Sequence, residues 1–229
     1  MLRRMGCVTV LLGMLASGAA GGIFDKMAIG FYPGAVTPME GRYRDSSTVK
    51  DMLLTGPGFG FGLRYKLNDH FFVDGNFSYS WMYFKANRRP ANYVSDKPAF
   101  VVPMYMLNLS YHPMSGGFVE PYITVGGGIC PWWFSSKPFG GFLLKSPGNP
   151  KKAFTMLSKA VNAGLGFEFM LGRKVSFLAE GKYYRIFARN EKKFGTGMFG
   201  NQDVLGLRLG FTFYFHGKHA SATIEEVEQ

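Results

Sequence analysis

The feature that most constrains this chain is a strict two-residue alternation in GPGFGFGLRYKL, residues 56–67. From Phe59 to Leu67 every second residue is apolar or aromatic, and glycine, arginine or lysine fills the positions between. Period two places the two sets on opposite faces of a β-strand. A soluble sheet would bury the apolar face in a core. A membrane barrel would turn that face toward lipid, with small and charged residues in the lumen.

The same pattern recurs along the chain, with long polar connections and short turns alternating between the segments. No apolar run reaches the roughly 20 residues that a transmembrane helix needs. An even number of alternating segments with unequal connections is typical of a transmembrane β-barrel. We therefore predict an all-β fold, an eight-stranded antiparallel up-and-down transmembrane β-barrel. The eight segments are residues 24–32, 56–67, 71–84, 100–112, 121–133, 159–171, 175–186 and 204–215.

The N-terminus has the order of features found in a cleaved export signal. Arg3 and Arg4 precede an apolar run, and small residues follow it. We predict a signal peptide over residues 1–20, a barrel over residues 21–215 and a periplasmic C-terminal tail over residues 216–229. Removal of the signal leaves Cys130 as the only cysteine, so the barrel has no intrachain disulfide.

Charged residues on the predicted interior face should pair with one another, because an unpaired charge inside a barrel is costly. Strand register sets Arg64 opposite Asp74 across one short turn. Around the short turn at residues 172–174, two carboxylates and two cations on three adjacent strands should form one network. We predict a packed plug, and the alternative is a gate that passes ions. The predicted lumen charge network is Arg64, Asp74, Glu168, Glu180, Lys182 and Arg208.

Aromatic residues gather near the ends of the predicted strands, as the two interfacial belts of a membrane barrel require. One group lies at the outer ends of rising strands and the other at the inner end of the last strand. The predicted aromatic girdle is Trp81, Tyr83, Trp132, Trp133, Phe211, Phe213 and Phe215.

Three segments carry a resemblance to a known family: FVEPYITVGGG (118–128), VNAGLGFEFML (161–171) and GLRLGFTFYF (206–215). With them the chain resembles the small eight-stranded outer-membrane β-barrels, the group of OmpA-type, opacity-type and OmpW-like proteins. The resemblance implies location in the outer membrane and insertion by the barrel assembly machinery. The chain departs from it in the tail that follows Phe215, which is too short for a peptidoglycan-binding domain.

Some barrels of this size modify lipid A, so the residues for catalysis need examination. Such an enzyme needs a histidine with a serine or carboxylate near the outer leaflet. Ser110 and His112 share a face, but at the periplasmic end. His70, His216 and His219 are predicted on that same side. We therefore predict no catalytic site, and also no cofactor and no metal site.

The long connections are rich in lysine and arginine, and the formal net charge is +11. We expect the loops to meet outer-membrane lipids and the phosphates of lipopolysaccharide, and an extracellular ligand is a further partner. Because we predict that the chain is exported, we expect no nucleic-acid partner. The preferred function is a non-enzymatic, structural or surface-interacting barrel. The alternative function is an OmpW-like conduit for small apolar molecules past Phe72, Met104 and Met106. The alternative fold is a soluble lipocalin-like barrel.

Overall fold

A computed structural model describes residues 21–43, 47–88, 97–146, 149–195, 199–216 and 218. The predicted signal peptide and nearly all of the predicted tail, including His219, lie outside the described residues. Within the described part of the chain, no helix is both long enough and apolar enough to cross a bilayer.

Eight long strands form one antiparallel sheet that closes on itself. Each strand pairs with its neighbour in the sequence, and the last strand pairs back with the first. The prediction of an eight-stranded antiparallel up-and-down barrel is therefore confirmed. The barrel strands are β1 (Met27–Tyr43), β3 (Gly56–Lys66), β4 (Phe71–Tyr83), β5 (Ala99–Tyr111), β6 (Val119–Ser135), β9 (Thr155–Met170), β10 (Val175–Ile186) and β11 (Phe199–Tyr214).

The connections differ sharply between the two ends of the barrel. Short turns join the strands at one end, which we call the turn end. At the opposite end, the loop end, the connections hold small elements of their own. These are β2 (Ser47–Thr48), β7 (Lys145–Ser146) and β8 (Asn149–Ala153), with one-turn helices at Val49–Met52 and Glu191–Phe194.

Side chains separate by face as the two-residue period requires. The outward positions of the barrel strands hold large apolar residues, among them Leu107 and Leu165, which are 63% and 61% exposed. The inward positions of the same strands are buried, and many are small or polar. An exposed apolar surface of this extent is far larger than a soluble monomer carries, and it excludes the lipocalin-like alternative, which would turn these residues inward.

The interior has two halves of different chemistry. The loop-end half is an aromatic core in which Trp132, Phe134 and Phe154 pack with ring centroids 4.5–6.2 Å apart. Loop residues complete this core, since Phe194 of the second short helix is fully buried there. The turn-end half is polar and charged.

Candidate functional site in the barrel interior

The charged half of the interior contains a first layer of ion pairs around Glu180. This carboxylate lies opposite Arg208 in the β10–β11 register. Its Oε1 is 2.5 Å from Arg208 Nε and 3.2 Å from Lys182 Nζ. The Tyr122 hydroxyl donates to its Oε2 at 2.8 Å. One carboxylate therefore contacts two cations, and we call these three charged residues the middle layer.

A second layer of ion pairs is centred on Arg64, nearer the turn end. Its Nε is 2.5 Å from Asp74 Oδ1, and its NH1 donates to Glu168 Oε2 at 2.9 Å. The hydroxyls of Ser176 and Tyr214 both donate to Glu168 Oε1 at 2.5 Å. Charge-assisted hydrogen bonds of this kind are among the strongest in proteins, so Glu168 is held rigidly.

The C-terminal segment completes this second layer. Lys218 follows the last strand and is only 1% exposed. Its Nζ lies 2.6 Å from Glu120 Oε2 and 2.6 Å from Glu168 Oε2. His112, just beyond the end of β5, is 0% exposed, and its Nδ1 is 3.5 Å from Glu120 Oε2. Burial lowers the pKa of His112. We call Arg64, Asp74, Glu120, Glu168 and Lys218 the turn-end layer.

Two tyrosines lie in the lumen between the layers, and glycines on the same or the adjacent strand make room for them. A Cβ on Gly166 would come within 2.6 Å of the Tyr122 ring and hydroxyl. A Cβ on Gly30 would overlap the Tyr32 hydroxyl, which is 3.2 Å from Thr212 Oγ1. The glycines on the interior face therefore serve close packing of large polar side chains.

The arrangement differs from the predicted single network. No ion pair joins the two layers among the described residues, and Glu168 binds Arg64 instead of Arg208. The register explains the difference. Glu168 lies opposite Leu178, whereas Glu180 lies two residues further along β10. Glu168 is therefore one interior position closer to the turn end, at the level of Arg64. The predicted opposition of Arg64 and Asp74 is present.

The interior charges of the two layers sum to zero. The middle layer has two cations and one carboxylate, and the turn-end layer has two cations and three carboxylates. Each cation has a carboxylate within 3.2 Å. The described charged residues of these layers are Arg64, Lys182, Arg208 and Lys218 with Asp74, Glu120, Glu168 and Glu180.

The predicted girdle residues face outward with one exception. Phe211, Phe213 and Phe215 are 44–48% exposed. Trp132 is the exception, because it is fully buried and its Nε1 donates to Ser158 Oγ at 2.9 Å. The prediction for Trp132 is wrong for a simple reason: adjacent strand residues point to opposite faces, so Trp132 and Trp133 cannot both face lipid. The remaining outward girdle residues are Trp81, Tyr83 and Trp133.

Sequence reasoning missed two charged residues of the interior, Glu120 and Lys218. Glu120 is a carboxylate at an inward position of β6. Its position on the interior face was enough to predict a cation beside it. Lys218 could not be found from strand patterns because it lies beyond the last strand. The count of interior charges was the available signal, since the six predicted residues already balance and Glu120 adds a fourth carboxylate.

The residues considered for a conduit and for catalysis have other roles in the structure. Met104 and Met106 belong to the aromatic core. The Phe72 ring lies under Arg64 and Lys218, each 5.4 Å from its centroid. The Ser110 hydroxyl donates to Asp74 Oδ2 at 2.5 Å, so it is not paired with a histidine.

One loop at the opposite end folds down over the outer face of the barrel. The Tyr79 hydroxyl donates to the carbonyl oxygen of Pro138 at 2.7 Å. The Phe139 ring stacks on Tyr79 at 5.2 Å and meets Trp81 edge-on at 4.9 Å. Lys137, just before this contact, is exposed. This loop therefore brings aromatic and cationic groups together beside the apolar outer surface.

A closed barrel with an apolar exterior, a polar interior and long connections at one end defines the chain as a transmembrane β-barrel of the outer-membrane class. The sequence agrees, since the family model described as the outer membrane protein beta-barrel domain matches residues 7–213. The chain belongs to this family, and it is an outer-membrane protein. No curated protein matches the chain significantly in sequence.

Solved structures with the same fold come from several bacteria. Neisserial surface protein A aligns with a TM-score of 0.53 at 12% identity, over 82% of this chain and 97% of that one. OprG of Pseudomonas aeruginosa aligns with a TM-score of 0.50 at 18% identity, over 82% of this chain and 94% of that one. At these identities the likeness concerns the fold alone.

Proposed function

We propose that this protein is a sealed, non-enzymatic outer-membrane barrel that acts through its loop end, where exposed lysines bind the phosphates of lipopolysaccharide. The observation that supports the proposal is the packing of side chains across the interior. Two ion-pair layers occupy the turn-end half and an aromatic core occupies the other. An eight-stranded barrel is only wide enough to be filled by side chains. A barrel without a free lumen has its outer surfaces left for function.

The absence of catalysis in this proposal rests on the positions of the candidate groups. Ser110 and His112 are both buried at the turn end, and the Ser110 hydroxyl is held by Asp74. A nucleophile needs a base within hydrogen-bonding reach. Insertion by the barrel assembly machinery is part of the same proposal.

The third outer loop, which joins β6 to β9, and the strands that flank it favour an anionic partner most clearly. Residues 121–167 contain five lysines and no aspartate or glutamate. All five lysines are exposed, and none has a carboxylate partner in the described part of the chain. We call them the third-loop surface: Lys137, Lys145, Lys151, Lys152 and Lys159.

The position of Lys159 supports a lipid phosphate as the partner. It lies on the outward face of β9 between Leu157 and Val161, which are 62% and 46% exposed. If those neighbours face the acyl chains, the ammonium group can reach the lipid headgroups. The Phe139 ring, which packs outside β4, adds an apolar group at the same end of the barrel.

Single-channel recording in planar bilayers tests the sealed interior, with a general porin as the positive control. We expect no conductance from the wild type. We expect none from Arg208→Ala either, because the aromatic core still closes the loop end. Robust wild-type channels would refute the sealed barrel and support the conduit.

Binding to purified lipopolysaccharide tests the surface. Each lysine near an anionic membrane surface contributes about 1 kcal/mol, so Lys151→Ala/Lys152→Ala should weaken binding about 30-fold. The matched control is Lys50→Ala/Lys192→Ala, which removes two exposed lysines adjacent to Asp51 and Glu191 in the sequence. An equal loss in both variants, or binding that ignores salt, would contradict the assignment.

A further inference from the structure

Three potential metal ligands meet at the turn end of the barrel. The donor atoms of His112, Glu120 and Glu168 all lie within 4.8 Å of one another. All three side chains are 0% exposed. The position between the two carboxylates is taken by the Nζ of Lys218, 2.6 Å from an oxygen of each. The cluster is thus built around a cation that the chain itself supplies.

His112 is the observation that separates this cluster from an ordinary ion pair. Neither of its ring nitrogens makes a hydrogen bond in the described part of the chain. The ring is fixed between Phe72 and Tyr122, with centroids 4.6 Å and 4.9 Å away. Buried polar groups are nearly always satisfied. An imidazole that is fully buried, rigidly held and 3.5 Å from Glu120 is placed to bind a ligand.

The charge of the turn-end layer depends on Lys218. Arg64 and Lys218 oppose the carboxylates of Asp74, Glu120 and Glu168, which leaves one negative charge. Without the Lys218 ammonium, two negative charges would remain in a space closed to water. A bound divalent cation would neutralise that layer completely.

Lys218 lies beyond β11, and its backbone makes two contacts in the described part of the chain. Its N–H donates to the Arg173 carbonyl oxygen at 3.1 Å, and its own carbonyl oxygen accepts from Lys66 Nζ at 2.7 Å. Neither contact belongs to a pairing of the barrel strands.

We infer that His112, Glu120 and Glu168 form a zinc-type metal site for which Lys218 is a built-in competitor. One imidazole and two carboxylates supply three protein ligands and leave the fourth position open, as in many zinc sites. Ligand atoms around tetrahedral zinc are about 3.3 Å apart, given metal–ligand distances near 2.0–2.1 Å. Small side-chain movements would bring the donor atoms to that spacing once the ammonium leaves. Magnesium, which prefers oxygen ligands only, should bind poorly.

Isothermal titration of the refolded full-length chain in detergent with zinc chloride tests this site. We expect Lys218→Ala to bind one zinc ion at least tenfold more tightly than the wild type. The matched control is Lys26→Ala, which removes an exposed cation near the same end and should behave like the wild type. Lys218→Met serves in place of Lys218→Ala if the latter lacks the heat-modifiable mobility of a folded barrel.

A second substitution identifies the ligands. Adding His112→Asn to Lys218→Ala should abolish the gain in zinc affinity, and magnesium chloride should give no comparable binding to Lys218→Ala. The inference is overturned if Lys218→Ala and Lys218→Met bind zinc no better than Lys26→Ala. It is equally overturned if the gain persists without His112.

Discussion

The middle layer offers a direct measure of how dry the barrel interior is. Glu180→Gln keeps the shape of the side chain and removes its charge. The Arg208 guanidinium, which stays protonated in proteins, then has no carboxylate within ion-pair distance among the described residues. Breaking a buried pair in this way costs about 3–5 kcal/mol. The amide oxygen can still accept the Tyr122 hydroxyl, so nearly all of the loss comes from the charge.

A surface pair in the same chain provides the control. Arg189 and Glu191 also lie 2.5 Å apart, but their side chains are 68% and 40% exposed. The corresponding change, Glu191→Gln, should cost about 0–1 kcal/mol, as exposed pairs do. The two substitutions share chemistry and pair distance and differ in burial.

The assay is urea unfolding in lipid vesicles, followed by tryptophan fluorescence and by heat-modifiable gel mobility. At a slope of about 2 kcal/mol per molar urea, Glu180→Gln should lower the midpoint by about 2 M. Adding Arg208→Met removes one of the two cations that lose their carboxylate and should recover part of the loss, because Lys182 still lacks its partner. If Glu180→Gln costs no more than Glu191→Gln, water reaches the layer and the argument for a sealed interior fails.

Two further predictions concern packing. Trp132→Ala should lower the free energy of unfolding by about 3–5 kcal/mol, because it removes the centre of the aromatic core. Trp133→Ala, which removes an outward side chain, should cost about 0.5 kcal/mol. Equal costs of the two substitutions in the same unfolding assay would contradict the burial of Trp132 in the core. Gly166→Ala should cost about 1–3 kcal/mol by displacing Tyr122, while Gly181→Ala, whose Cβ would meet only Leu207 at 3.4 Å, should be nearly neutral. A neutral Gly166→Ala would show that Tyr122 can move without loss.

The length of the strands shows a limit of prediction from local sequence patterns. The first segment was expected to stop at Tyr32, yet β1 continues to Tyr43. Pro33 suggests a break, because it lacks an N–H donor. The pairing of β1 with β11 does lapse at Tyr32 and Pro33 and resumes at Gly34, while Pro33 remains paired with Phe59 of β3. A strand with two neighbours tolerates a local loss on one side.

The sequence by itself determined the number of barrel strands and the face of nearly every residue in them. Alternation has a period of two, so it is a local property that any short segment reveals. It also determined the opposition of Arg64 and Asp74, because a short turn leaves little freedom of register.

Only the tertiary structure decided which charges meet across the lumen. Arg64 reaches Glu168 from 104 residues away, and Lys218 enters from beyond the last strand. Phe194 and Phe154 come from the loop end to complete the aromatic core. Such contacts depend on closure of the barrel, which sets the relative height of strands that are not neighbours. No local pattern encodes that height.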